Sequence, residues 1–348
     1  MPASKGYAAL DPKSSLTPFS FSRRDPGPTE INIEILYCGV CHSDLHMIRN
    51  EWDNAIYPMV PGHEIVGRVV SVGNACRKFK VGDIAAIGVI IDSCRHCLPC
   101  NKGEEHFCDE GSTLTYAATD RVDGSITMGG YSSNYVADER FAHHVPANLN
   151  LAAVAPLLCA GITTYSPLRH WKVGTGKKVG IVGLGGLGHM GLKFAHSFGA
   201  HVVQFTTSLK KKEDALKLGA DEVVLSTDAD AMKTHTKTFD FILDTVSAPH
   251  ALEPYIAALK QDGAITLVGL PDKPPSFQMF SLISRRASIN GSMIGGMKET
   301  QEMLDYCGQH NIVSEVEVIP IQQVNEAYER LLRQDVKYRF VIDMSSIK

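Results

Sequence analysis

The sequence predicts an α/β protein of two domains, a β-rich one and a doubly wound parallel sheet, and three observations carry that prediction. The chain has 348 residues, more than a single hydrophobic core usually serves. From Ile31 to Gly88 it reads as short apolar runs, INIEILYCGV, EIVGRVVSVG and GDIAAIGVI, broken by Gly, Pro and Asp and without a sustained helical period. Beyond Lys177, strand-like and helix-like segments alternate, as parallel strands joined by crossover helices require. We therefore place a β-rich domain at 1–150 and the sheet domain at 151–296. The tail 297–348 is too short for a dependable core of its own and is expected to return and complete the first domain.

Taken in order, the runs of the first domain are expected to form a small barrel-like sheet. The apolar stretch LAAVAPLLCAGITTYSPL, from Leu151 to Leu168, is helix-like and is expected to lead into the second domain. There the alternation runs KKVGIVG, HMGLKFAHSFGA, HVVQFTT, KKEDALKLGA, DEVVLS, FDFILDTV, HALEPYIAALKQDG, AITLVGL and ASINGSMI. The tail supplies a helix, ETQEMLDYCGQHN, and a closing strand, KYRFVIDM.

Composition narrows the function. A hydrophobic share of 44%, a charged share of 21% and a net charge of −4 describe ordinary globular material with no bias toward polyanions, so nucleic acid is not an expected partner. No run approaches the roughly 18 apolar residues of a membrane span, and Met1–Ser15 has no signal-peptide core, so a cytoplasmic location without membrane partners is expected. In that compartment nine cysteines stay reduced, and their clustering favours metal ligation over a disulfide framework.

The strongest local signal is Cys94-x-x-Cys97-x-x-Cys100-x7-Cys108, whose spacing lets one short lobe wrap four thiolates around a tetrahedral zinc. That lobe carries no periodic apolar face and is expected to be a loop held by its metal. His96 and His106 lie within it, but four thiolates already fill the shell. Cys38, Cys76 and Cys307 read as small buried hydrophobes.

A second signal is Gly183-Leu-Gly185-Gly186-Leu187-Gly188, between the strand VGIVG and a helix beginning His189. Gly183 permits the turn, Gly185 lets a pyrophosphate approach the backbone and Gly188 lets helix and strand pack closely. The phosphates then face a helix N-terminus. The following strand, HVVQFTTS, ends without the acid that binds a ribose 2′-hydroxyl. Thr206, Thr207 and Ser208, with Lys210, Lys211 and Lys212, suit a 2′-phosphate instead, so NADP(H) is the expected cofactor. The competing reading makes the lysines a solvated helix start.

Three further ligand candidates are Cys41 in Cys41-His42-Ser43-Asp44-Leu45-His46, His63 in Pro61-Gly62-His63-Glu64, and Cys159 in the apolar stretch. Two Cys and one His leave the fourth tetrahedral position of a zinc for substrate. No role is assigned to His42 or His189, for which structural histidines are equally good readings.

These motifs, in this order and together with Pro156-Leu-Leu-Cys159-Ala-Gly and the ending DVKYRFVID, resemble the zinc-containing medium-chain alcohol dehydrogenases. Within them the chain is most similar to the cinnamyl alcohol dehydrogenase branch and its bacterial broad-range NADPH-dependent aldehyde reductases. The resemblance spans about Ile31 to Asp343. It implies a GroES-like β-rich catalytic domain and a Rossmann domain, with the active site in the cleft between them. It implies two zincs per subunit: a catalytic one on Cys41, His63 and Cys159, with Glu64 beside it as a transient ligand, and a structural one on Cys94, Cys97, Cys100 and Cys108. Asp44 is implied to orient a ligating histidine, and Ser43 and His46 to form the proton relay, for which a histidine's near-neutral titration suits.

Thr163, Val268 and Ser292 are implied as further cofactor contacts, and Trp52, Leu114 and Met293 as the substrate pocket. Leu114 is smaller than the tryptophan that plant lignin-pathway members carry nearby, so a roomier pocket for aromatic and medium aliphatic aldehydes and primary alcohols is expected. An NAD-dependent secondary-alcohol or polyol dehydrogenase is the neighbouring enzyme reading, and a non-catalytic zinc protein the reading outside enzymes. A homodimer through ASINGSMIGG is expected from the same resemblance.

Overall fold

A computed structural model describes residues 3–271 and 273–348. It divides into two compact units, one of residues 1–159 with 295–348 and one of residues 160–294.

The first unit is organised on one long strand, Glu30–Val40, whose isoleucines 31, 33 and 35 recur at the period of two that a half-buried strand needs. One edge pairs antiparallel with Ile65–Val72. The other is shared: Asn134–Asp138 takes its first half and Arg339–Asp343 its second, with Phe340 opposite Val40 and Asp343 opposite Tyr37. The tail therefore enters this unit as an inner strand. It is held there by burial of Phe340 and Ile342, both 0% exposed, in the core with Ile33, Ile65, Ile87 and Tyr131. Truncating Phe340 to alanine would cost about 3–5 kcal/mol.

The stretch Leu151–Leu158 stays with this unit, whereas the sequence boundary at 150/151 gave it to the second. Its cause is apolar: Val154, Ala155 and Leu157 are fully buried within it. Pro156 turns its second half into a 3-10 segment, Ala155–Leu158, and the chain leaves helical geometry at Cys159, with φ −128° and ψ −73°. At the other border the division falls at Ile294/Gly295 instead of 296/297.

In the second unit six strands are parallel throughout, in the order Glu222–Leu225, His201–Thr206, Lys178–Val182, Phe239–Asp244, Leu259–Leu267, Ser288–Gly291 among the described residues. The inner strands are buried without alternation, Val202, Val203 and Phe205 in His201–Thr206 and Phe241, Ile242 and Leu243 in Phe239–Asp244, as helices on both faces dictate. The helix expected through HALEPYIAALKQDG is shorter, Glu253–Ala258, because the chain enters the last long strand already at Leu259. No single helix among the described residues is long and apolar enough to cross a membrane.

Candidate active site and metal centres

The long strand ends at Val40, and Cys41 follows as the N-cap of helix His42–Ile48. Three residues on, Asp44 Oδ2 reaches back to accept the Cys41 amide at 3.0 Å, fixing the backbone on which the thiol is mounted. Asp44 is wholly buried, and further donors converge on it. Its Oδ1 accepts from Gly62 N at 3.1 Å and from His63 Nδ1 at 3.0 Å, and its Oδ2 from Tyr131 Oη at 3.2 Å. A carboxylate only accepts, so Nδ1 of His63 carries the hydrogen and Nε2 is left with a lone pair for a metal.

Glu64 comes next in the chain and turns the other way. An added Cβ on Gly39 would stand 1.9 Å from its Oε2, so only glycine on the neighbouring strand lets this carboxylate through. Its Oε1 pairs with Arg339 Nη2, and Arg339 Nη1 lies 3.9 Å from Cys41 Sγ. Among the described residues Glu64 Oε2 is buried without a hydrogen-bond partner. Burial pushes the Glu64 carboxyl up to about 7, with the Arg339 charge pulling against it. The Cys41 thiol is pulled well below its ordinary value by its hydrogen bond with Cys159 and by the Arg339 charge, against the cost of burial.

Cys159 arrives from the bend after Leu158, and its Sγ lies 3.9 Å from Cys41 Sγ. Two sulfurs on one tetrahedral zinc, with bonds of about 2.3 Å, stand about 3.8 Å apart. Ligand atoms of Cys41, His63, Glu64 and Cys159 all lie within 4.8 Å of one another. The lone pair of His63 and the two apposed thiols fit a divalent cation between them, with a carboxylate oxygen of Glu64 within the same 4.8 Å, and the residues present suit zinc.

The four-cysteine lobe fits a second zinc. Cys94, Cys97, Cys100 and Cys108 also place their sulfurs within 4.8 Å, with Cys94 and Cys100 3.8 Å apart. Backbone amides stabilise thiolate: Cys97 N donates to Cys94 Sγ and Cys94 N to Cys108 Sγ, each at 3.3 Å. Against the cost of desolvation, amide donors from His96 and Cys97 bring Cys94 down to about 6. The lobe is more ordered than a plain loop, holding a helical turn, Leu98–Lys102, and a 3-10 turn, Glu105–Phe107. Glu105 Oε2 accepts Met297 N at 2.9 Å and so caps the helix Met297–His310.

Of the expected relay, Ser43 lies beside the metal group, its Oγ 3.7 Å from Cys41 Sγ. His46, one helical turn on, is partly exposed, with Nδ1 engaged by Glu51 and its ring 5.2 Å from that of Trp52. Trp52 is itself exposed, and Leu114 is half-buried in the short strand Thr113–Leu114. Met293 is exposed and belongs to the second unit.

In that unit the glycine turn joins strand Lys178–Val182 to helix Gly188–Ser197. Gly183 has φ +88°, and a Cβ on Gly188 would stand 2.1 Å from Gly183 O, so neither position accepts a side chain. Around Gly185 there is open space, with Gly186 and Leu187 completing the turn. Gln204, buried in the neighbouring strand, donates from Nε2 to Gly183 O at 2.9 Å and holds the turn from behind. Lys211 Nζ donates to Leu184 O at 3.4 Å, which brings its ammonium to the turn. Thr206 and Ser208 are hooked together, Thr206 Oγ1 donating to Ser208 O at 3.0 Å, and Thr207 is exposed between them. Val268 and Ser292 follow strand ends on the same edge, whereas Thr163 lies on the buried side of helix Ala160–His170.

Arg339, Tyr131 and Gln204 are absent from the residues the sequence singled out. Arg339 carried one signal, a lone cation at the head of the apolar strand RFVID.

Comparison with known proteins bears on both units. Residues 27–147 match the alcohol dehydrogenase GroES-like domain and residues 186–308 the zinc-binding dehydrogenase domain. Aldehyde reductase YahK of Escherichia coli (strain K12) is 57% identical over 341 residues, 97% of each chain. A cinnamyl alcohol dehydrogenase from Sorghum bicolor superposes with TM-score 0.97 at 44% identity, covering 100% of this chain and 99% of that one. The cinnamyl alcohol dehydrogenase from Helicobacter pylori, complexed with NADP(H), gives 0.93 at 42% identity and 99% coverage of both.

Proposed function

Because the chain belongs to the zinc-binding alcohol dehydrogenases, we propose that it is an NADP(H)-dependent aldehyde reductase, working reversibly on primary alcohols and aldehydes, aromatic and medium aliphatic. The observation that carries this reading is the convergence of Cys41, His63 and Cys159 within 4.8 Å, three protein ligands that leave a fourth tetrahedral position for a substrate oxygen. When bound, zinc supplies Lewis-acid polarisation of the carbonyl and the nicotinamide supplies the hydride.

The chain's own residues do the rest. Asp44 fixes the tautomer of His63. Arg339 balances Glu64 and draws Cys41 toward thiolate. Ser43, beside the ligand sulfur, hands a proton to the product oxygen, and His46, backed by Glu51 and open to solvent, exchanges it with water. Thr206, Thr207, Ser208 and Lys211 receive a 2′-phosphate, a reading supported by the Lys211 contact with the glycine turn and by the NADP(H) held by the Helicobacter relative. Thr163, Val268 and Ser292 add to the cofactor site of the second unit, and Trp52 and Leu114 of the first unit to the substrate pocket.

The same reading extends to a cytoplasmic homodimer. Strand Ser288–Gly291 is an edge of its sheet among the described residues, and Phe280, Ile283 and Met279 nearby in the chain are 75%, 69% and 61% exposed.

Initial rates of benzaldehyde and cinnamaldehyde reduction, measured with NADPH and NADH side by side, test the proposal. NADPH is expected to be strongly preferred. Preference for NADH would shift the reading to a polyol or secondary-alcohol dehydrogenase, and no turnover by enzyme holding two zincs would end the catalytic reading.

A further inference from the structure

Numbered along the chain, the six parallel strands lie in the order 3-2-1-4-5-6, which reverses between Lys178–Val182 and Phe239–Asp244. Open α/β sheets take ligands at such a reversal, outside the carboxyl ends of the strands. Two segments leave those two ends. One is the glycine turn, and the other is Thr245–His250, to which the proposed chemistry assigns nothing.

This second segment backs the turn. Thr245 donates to Val182 O through Oγ1 at 2.7 Å and through its amide at 3.1 Å. A Cβ on Gly183 would stand 2.9 Å from Val246 Cγ2 and 3.0 Å from Thr245 Oγ1. On its other side Val246 O approaches Gly269, where a Cβ would stand 2.2 Å away. The neighbouring Val268 donates its amide to Asp244 O at 2.9 Å.

One side-chain pair closes the segment on itself. Asp244, 1% exposed, accepts Val246 N at Oδ1, 3.1 Å, and faces His250 Nε2 with Oδ2 at 2.8 Å. The other ring nitrogen, Nδ1, faces Ala248 O at 2.9 Å. A carbonyl oxygen and a carboxylate both accept, so both bonds form only when both ring nitrogens carry hydrogen. Either neutral tautomer aims a lone pair at one of the two oxygens. Among the described residues, the ionisable group that a neighbouring element brings against the ring is Tyr255 of helix Glu253–Ala258, edge-on with centroids 6.0 Å apart, and burial raises its own pKa, keeping it neutral. In keeping with this, the bond to Asp244 raises the His250 pKa, outweighing the ring's partial burial.

We propose that His250, held as an imidazolium between Asp244 and Ala248 O, is a positioning residue for the dinucleotide: it closes Thr245–His250 behind the Gly183–Gly188 turn, so that cofactor affinity falls as the ring loses its proton. The proposal rests on the reading of the glycine turn as the NADP(H) site.

Its test is the Kd of NADPH, followed by nucleotide fluorescence on the zinc-loaded enzyme from about pH 7 to 9.5, above the titration of the 2′-phosphate near 6. The wild type is expected to lose about tenfold in affinity through one titration step, the scale of one charge-assisted hydrogen bond. His250→Gln is expected to bind weakly across the range with the step gone, and to raise the KM for NADPH by a larger factor than it lowers kcat. An affinity flat with pH in the wild type, which needs no variant to fold, overturns the proposal, as does a step of equal size in His250→Gln. Failure of the wild type to bind NADPH at any pH would instead overturn the cofactor reading beneath it.

Discussion

Arg339 and Glu64, 275 residues apart in the chain, form a buried ion pair directly behind the Cys41 thiol, with side chains 5% and 0% exposed. Removing one partner leaves the other charge buried and uncompensated, which costs about 3–5 kcal/mol. Arg339→Met is therefore expected to lower the unfolding free energy by that amount, measured by urea denaturation of the zinc-loaded enzyme. Arg339→Met combined with Glu64→Gln is expected to recover part of it. Equal stability of the single variant and the wild type would contradict the pairing.

Asp44→Asn keeps the shape of the side chain but removes the charge that holds Nδ1–H of His63, and it leaves one oxygen where two accept donors now. Zinc affinity at the Cys41 group is expected to fall about 10–100-fold, read by competition with a chromophoric chelator. The cysteine lobe should keep its zinc, since the hydrogen-bond partners of the Asp44 carboxylate among the described residues are Cys41, Gly62, His63 and Tyr131.

Lys211→Ala removes a lysine whose ammonium reaches the glycine turn. Loss of a charge-assisted contact with a phosphate is expected to raise the KM for NADPH about tenfold while leaving the KM for NADH nearly unchanged. A parallel rise for both cofactors would place the lysine elsewhere in the binding site.

His143, 1% exposed in strand Ala142–His144, has neither ring nitrogen paired among the described residues. Burial, with Lys78 and His144 acting in the same direction, lowers its pKa to about 3. The folded state therefore keeps the ring neutral while an unfolded chain takes a proton near pH 6.5. The sign follows: this contribution is whole above about pH 6.5 and is lost as pH falls toward 3, at about 1.4 kcal/mol per unit. Between pH 7 and 4.5 the wild type is expected to lose about 2–3 kcal/mol more stability than His143→Leu, by urea unfolding at the two pH values. Equal losses would contradict it.

What the sequence reveals divides by distance along the chain. The cysteine lobe lies within fifteen residues and the glycine turn within six, so spacing alone exposes both. The Cys41 group was reachable because its members are chemically rare residues in recognisable surroundings. Arg339, Tyr131 and Gln204 were not. Each acts across strands or loops far apart in sequence, Arg339 on Glu64, Tyr131 on Asp44 and Gln204 on Gly183. Nothing local in RFVID or HVVQFT says what a polar side chain in a buried strand will meet. The boundary at 150/151 missed for a related reason, since an apolar helical stretch can pack on either of two cores, and Val154 and Leu157 were drawn into the first.

Dependence of the chemistry on the zinc of Cys41, His63 and Cys159 is measured by following the rate of NADPH-dependent benzaldehyde reduction as zinc is withdrawn by graded chelation, with metal content determined at each step. Activity is expected to fall in proportion to loss of one of two zincs per chain, the retained metal to stay in the cysteine lobe, and added zinc to restore the rate. Full activity in protein stripped of the metal at Cys41, His63 and Cys159 would contradict it.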